Sequence, residues 1–110
     1  MKAPANVPEK GFYYHYKHDP HGLINNYAYE VVGVGFHTEN DCRPIDTHMV
    51  IYQPIYESTV FTLGKFFDIR PLEMFAENVT KESKTFPRFK KITDPNVIAQ
   101  LEKIKAKMYS

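Results

Sequence analysis

The amino-acid sequence predicts a mainly β domain: a small, strongly bent barrel or roll of five to six short strands, followed by one C-terminal α-helix. Three observations predict it. Short runs rich in Tyr, Phe and β-branched residues alternate between two faces and are cut by Gly and Pro clusters. The longest run carries Gly33 and Gly35 inside it, and glycine within a strand marks a bulge or a sharp bend. Only the last segment shows helical periodicity over a helix's length.

Taken in order, residues 1–9 with Pro4 and Pro8 read as a flexible leader. Lys10-Gly11 opens a first strand, Phe12 to Lys17, with Phe12, Tyr14 and Tyr16 on one face and Tyr13, His15 and Lys17 on the other. His18-Asp19-Pro20-His21-Gly22 is a turn cluster, and the chain stays loop-like through Asn26. Tyr27 to Thr38 is a long strand whose two glycines let it serve both halves of a small barrel wall. A polar loop, Glu39 to Thr47, leads to a strand from His48 to Gln53 that Pro54 stops.

Ile55 to Leu63 is ambiguous, with Thr59-Val60-Phe61-Thr62 a candidate short strand. Gly64-Lys65 turns the chain into Phe66-Phe67-Asp68-Ile69-Arg70, an alternating strand. Pro71 breaks it and starts a single amphipathic turn with Leu72 and Phe75 on one face and Glu73 outward. Thr80 to Lys84 is a polar excursion, and Phe86 to Ile92 a last strand interrupted by Pro87. Thr93 or Asp94 then caps a helix with Pro95 at its first position. Val97, Ile98, Leu101, Ile104 and Met108 form its apolar stripe, and packing of that stripe on the barrel is expected to hold it. The domain is thus read as 10–92, with 93–110 as an amphipathic helix.

Composition narrows the function classes. At 110 residues there is one core, and 15% aromatic residues without any Trp suit a β-domain with a ring-lined surface. Lys and Arg total 14 against 13 Asp and Glu, so no global field attracts nucleic acid or anionic membrane. Cys42 is alone, which forbids an intramolecular disulfide and fits a reducing, cytoplasmic setting. No apolar run reaches the ~20 residues of a membrane span, and no apolar signal segment opens the chain.

Several strings, read in order, resemble one family. They are Lys10-Gly11-Phe12-Tyr13-Tyr14-His15-Tyr16-Lys17, Tyr29-Glu30-Val31, His37-Thr38-Glu39, Val50-Ile51-Tyr52 with Tyr56, Arg70-Pro71-Leu72-Glu73-Met74-Phe75, and Pro87-Arg88-Phe89. Together they resemble the bacterial domain-of-unknown-function family 1653, small domains of SH3-like β-roll type. The resemblance covers Lys10 to about Ile92 and implies an SH3-like barrel without an activity to carry over. Tyr14 stands where the family usually has Arg, and the connections after Lys17, Glu39 and Tyr56 are expanded.

No nucleophile motif, phosphate-cradling glycine loop or specific metal-ligand pair appears, so no cofactor and no metal are assigned. His15, His18 and His21 recur every three residues but match no metal signature, and Cys42 near His37 and His48 reads as a plain thiol. The expected function is a non-enzymatic binding module, monomeric or weakly dimeric. It would take a small anionic or peptide ligand in an aromatic groove lined by His15, Tyr16, His37, Tyr52, Tyr56 and Arg70. Arg70 would capture the anion, since a rigid guanidinium offers two parallel donors. Two alternatives belong to other classes. One is a hydrolase-type enzyme using His15 or His37 with Glu73. The other is a nucleic-acid module using Arg70 with Arg88, Lys90 and Lys91.

Overall fold

The computed structural model describes residues 7–39 and 47–110. Among them the elements run β1 (Gly11–His15), β2 (Ala28–Phe36), β3 (His48–Pro54), α1 (Thr59–Gly64), β4 (Asp68–Pro71), α2 (Leu72–Ala76), β5 (Asn78–Lys81), β6 (Lys84–Pro87), β7 (Phe89–Lys91) and α3 (Pro95–Met108). Five strands form one antiparallel sheet in the order β4-β3-β2-β1-β7, and β5 pairs with β6 in a separate ribbon. The mainly β class, the single long helix and its start at Pro95 are as the sequence predicts. Leader residues 1–6 and the loop bearing Cys42 lie outside the described residues.

The barrel does not close. No ladder joins β4 to β7 among the described residues, and side chains fill the space between them instead. Leu72 and Phe75 of α2 are buried there, and Phe75 stacks on Phe89 of β7 with ring centroids 4.2 Å apart. A short amphipathic turn inserted after the Arg-Pro break thus takes the place of a closing strand pair. Pro71 itself is the extended residue before α2 rather than its first helical position.

Two further expectations change. Thr59 to Thr62 is helical, because local capping outweighs the strand preference of its β-branched residues. Ser58 Oγ accepts the Phe61 N–H at 3.3 Å, and Lys65, left-handed at φ 56°, closes the other end: its N–H donates to the Phe61 carbonyl and that of Phe66 to the Val60 carbonyl. The segment read as a polar excursion is a hairpin. Glu82 and Ser83 both take positive φ, 52° and 65°, the conformation of a tight two-residue turn. That turn makes β5 and β6 separate strands and raises the count to seven among the described residues. The expected last strand is therefore divided at Arg88.

The sheet has a core on each face. Tyr13, Val31, Val50, Tyr52 and Phe89 meet Leu72 and Phe75 on one side. On the other, Phe12, Ala28, Ile55 and Ile92 meet Leu101 of α3, with Val97, Ile98 and Ile104 packed against them. Strand alternation in β1 makes this division, since Phe12 and Tyr13 point to opposite faces. The register slips between Val31 and Gly33, so β2 pairs with β1 only along its first half and with β3 along both halves. Gly11 opens β1 at φ +136°, a conformation that side chains rarely adopt.

Val97, Ile98, Leu101 and Ile104 of the helical stripe pack on the sheet as the periodicity predicts, while Met108 borders a cavity. Asp94 caps α3 by accepting the Asn96 N–H at 2.9 Å. Lys105 Nζ reaches Glu30 at 2.8 Å, and Tyr109 donates its hydroxyl to the Pro54 carbonyl at 2.6 Å. Leu101 is fully buried, so Leu101→Ala should cost about 2–5 kcal/mol. Thermal melting of this variant should show a midpoint lower by on the order of 10 °C or more. Replacing Glu82-Ser83 by Asn-Gly should raise the midpoint, since both positions then suit positive φ.

Candidate functional site

The site grows from strand pairing. Register places His15 opposite Phe89, Val50 opposite Arg70, and Tyr52 opposite Asp68. Residues directly opposite share a face, so Asp68, Arg70, Tyr52, His15 and Phe89 all project on the α2 side of the sheet. Two backbone bonds outside the ladders fix the rim: His15 N–H donates to the Tyr27 carbonyl at 3.0 Å, and Tyr16 N–H to the Arg88 carbonyl at 2.9 Å.

Phe89 is the floor. Its ring meets His15 at 5.1 Å, Tyr52 at 5.5 Å and Tyr29 at 5.8 Å, all edge-on, and the Arg70 guanidinium lies over it at 5.7 Å. Arg70 Nε donates to the Tyr52 hydroxyl at 3.1 Å. Its two terminal nitrogens have no protein partner among the described residues, and the side chain is half-buried. A guanidinium held by its inner nitrogen and a ring face presents its outer edge as a fork.

His15 is set beside that fork. Its Nδ1 accepts the Lys17 N–H at 3.2 Å, which puts the proton of the neutral ring on Nε2. Burial lowers its pKa to about 4, with the charges of Arg70, Lys17 and Arg88 adding to the effect. It is therefore neutral at pH 7. Arg70 and Arg88 also both act on Tyr52, whose pKa burial raises against their pull. Two guanidinium charges thus reach one small region. Arg88 is paired with Glu77 at 2.5 Å, while its Nε is buried without a partner among the described residues.

The opposite end of the cluster is acidic. Burial raises the Asp68 pKa, against the pull of Arg70. The Asp68 charge is felt by Tyr29, Tyr56 and Tyr109, where burial is the larger cause of their raised values. Tyr29 and Tyr56 share a hydroxyl–hydroxyl bond at 2.5 Å. The arrangement is polarised, cationic at Arg70 and anionic at Asp68, with phenols between.

Of the six residues expected to line the groove, His15, Tyr52, Tyr56 and Arg70 come together. His15 and Tyr56 are joined through Tyr27, whose ring lies 5.7 Å from each. Tyr16 touches His15 at 4.4 Å but turns to Phe86 of the β5–β6 ribbon. His37 does not join them. It follows the far end of β2, on the order of 25 Å along the strand from Tyr29, and lines a separate cavity of about 510 Å³ with Met49, Ile51 and Ile69. Glu73 is exposed on α2, and no hydrogen bond links it to either histidine among the described residues.

The other constellations separate as well. His18 stacks on Tyr14 at 3.5 Å, on the sheet face opposite His15. No three His, Cys, Asp or Glu side chains gather at one point among the described residues. In the basic run, Arg88 pairs with Glu77 and Lys91 with Glu9 at 3.0 Å, while Lys90 lies on the other face of β7. Sequence reasoning missed Tyr27, Tyr29, Asp68 and Phe89. Two-residue spacing placed Asp68 on the face of Arg70; only the strand pairing could have supplied the rest.

The fold and this cluster define a mainly β domain with an arginine presented on an aromatic floor. Residues 11–91 match the family described as Protein of unknown function (DUF1653), and the chain belongs to that family. No curated protein and no solved structure matches the chain. Helix α3 lies beyond the matched residues. No helix of the described residues is long and apolar enough to cross a membrane.

A lowered pKa for His15 has a stability consequence. The folded protein takes up this proton less readily than the unfolded chain, whose value is near 6.5. The contribution is fully present above that value and is lost as pH falls toward 4. His15→Asn should therefore lose less stability than the parent over this window, measured as urea midpoints at each pH. Arg70→Gln should raise the His15 pKa, read by NMR titration of its ring protons.

Proposed function

We propose that this protein is a non-enzymatic binding module that recognises the anionic group of a small molecule or peptide at Arg70. The observation that carries the reading is the presentation of Arg70: one nitrogen bound to Tyr52, the plane over Phe89, and the terminal nitrogens without protein partners among the described residues. A guanidinium held in this way loses little freedom on binding, and a bidentate carboxylate or phosphate satisfies it. Arg88, paired with Glu77, adds only its nearby positive charge to that of Arg70.

Local rather than global charge supports a small anion over a polyanion. Arg88 and Lys91 are already paired, so a long phosphate backbone would meet few free cations here. We read the scaffold as an open roll of SH3-like type. The bulge at Val31–Gly33 in a strand shared by both halves supports this, as does the single turn α2 before the last sheet strand. The lone Cys42 supports a reducing, cytoplasmic setting.

Sulfate is a suitable probe, because it stays doubly charged across the pH range of interest. It should bind the full chain, and Arg70→Lys should weaken binding about tenfold or more by removing the two-donor fork. Binding should raise the His15 pKa, since a neighbouring anion favours the imidazolium. Sulfate affinity should therefore increase as pH falls from 7 toward the free value of about 4. An affinity unaffected by Arg70→Lys and by pH would remove this reading.

A further inference from the structure

A cavity of about 580 Å³ lies on the α3 side of the sheet, between the last turns of α3 and the loop that precedes β2. Leu23, Ile104 and Met108 give it apolar walls, and Lys107 stands at its edge. Tyr27 and Tyr56, with the polar side chains of Asn25, Asn26 and Glu57, make the remaining wall. These same two rings border the arginine site: Tyr27 lies 5.7 Å from His15 and nearly parallel to it, and Tyr56 shares its hydroxyl bond with Tyr29. Tyr27 and Tyr56 thus border the cavity on one side and, through His15 and Tyr29, the ring cluster that carries Arg70 on the other.

We propose that the cavity is the second half of one binding site, and that the ligand is an organic anion with a flat aromatic body. The anionic group lies at Arg70, and the aromatic body crosses the faces of His15 and Tyr27 into the cavity. This rests on the anion reading given above. The volume falls within the range of pockets that hold small molecules, roughly 300–1,000 Å³. Tyrosine rings suit the crossing, because each offers a flat apolar face with a polar tip. Tyr27 is 38% exposed at that crossing, so its ring is open to a stacked partner. An inorganic anion would occupy only the Arg70 end and leave the apolar walls wet.

The test compares inorganic phosphate with 1-naphthyl phosphate on the full chain by calorimetric titration. The aryl phosphate should bind at least about tenfold tighter, the advantage of burying an aromatic ring. Met108→Trp, which fills the cavity from the helix, should abolish that advantage and leave phosphate binding as it was. Ile104→Phe gives the same reading should the first variant misfold, and Arg70→Gln should weaken both ligands. Equal affinities for the two phosphates, or an advantage that survives both cavity variants, overturns the joined site while leaving the anion reading intact. Naphthyl phosphate binding lost on filling the cavity but indifferent to Arg70→Gln shows a separate apolar site and overturns the joined site, while the anion reading stands if Arg70→Gln still weakens inorganic phosphate. Absence of any phosphate binding removes both.

Discussion

Burial of one ring, Phe89, is the constraint on which the rest of this structure depends. It stacks on Phe75, takes the edges of His15, Tyr29 and Tyr52, and lies under Arg70. Each such aromatic pair contributes about 0.5–1.5 kcal/mol beyond the area it buries. The contacts reach this β7 ring from β1, β2, β3, β4 and α2, so it joins both ends of an unclosed sheet. The roll holds its curvature through side chains where a closed barrel would use backbone bonds. The floor of the proposed binding surface is the same ring that holds the domain together.

The electrostatics follow from that floor. Rings exclude water from the base of the cluster, and burial is the largest cause of the shifts at His15, Tyr29, Tyr52, Tyr56 and Asp68. A low-dielectric base strengthens every charge placed on it. Arg70 lies at one end, His15 gives up its proton, and Asp68 lies at the other. The result is a short axis running from cation to anion across tyrosine hydroxyls. In the proposed reading, such an axis would orient the ligand as well as hold it. The shared wall of Tyr27 and Tyr56 extends the same surface toward α3, where the chain passes beyond the residues that match its family.

Much of the fold was legible in the sequence where a pattern was local. The alternation of Phe12, Tyr13 and Tyr14, the stripe of α3 and the Arg-Pro break each carry their own periodicity or stop signal. Elements decided by a cap or a turn were harder to read. Ser58 and Lys65 turn a β-branched run into helix, and positive φ at two ordinary residues, Glu82 and Ser83, makes a hairpin that no Asn-Gly announces. That the barrel stays open was illegible for another reason, since it depends on Leu72 and Phe75 filling a gap that only the assembled sheet defines. For the site, Arg70, His15, Tyr52 and Tyr56 could be chosen by residue type. His37 was included because its string lies in the same family pattern, and the length of β2 carries it away. Phe89 looked like a core residue and is one; its role beneath Arg70 comes from the pairing of β7 with β1.

The central claim is that Arg70 offers an open fork on an aromatic floor. Chemical-shift mapping of the full chain during addition of sulfate tests it most directly, because every backbone amide and the arginine side chains report at once. The account predicts saturable shifts concentrated at His15, Tyr52, Arg70 and Arg88, with the Arg70 side-chain signals moving most. Shifts spread over exposed lysines such as Lys65 and Lys90, rising without saturation, or a silent Arg70, would contradict it.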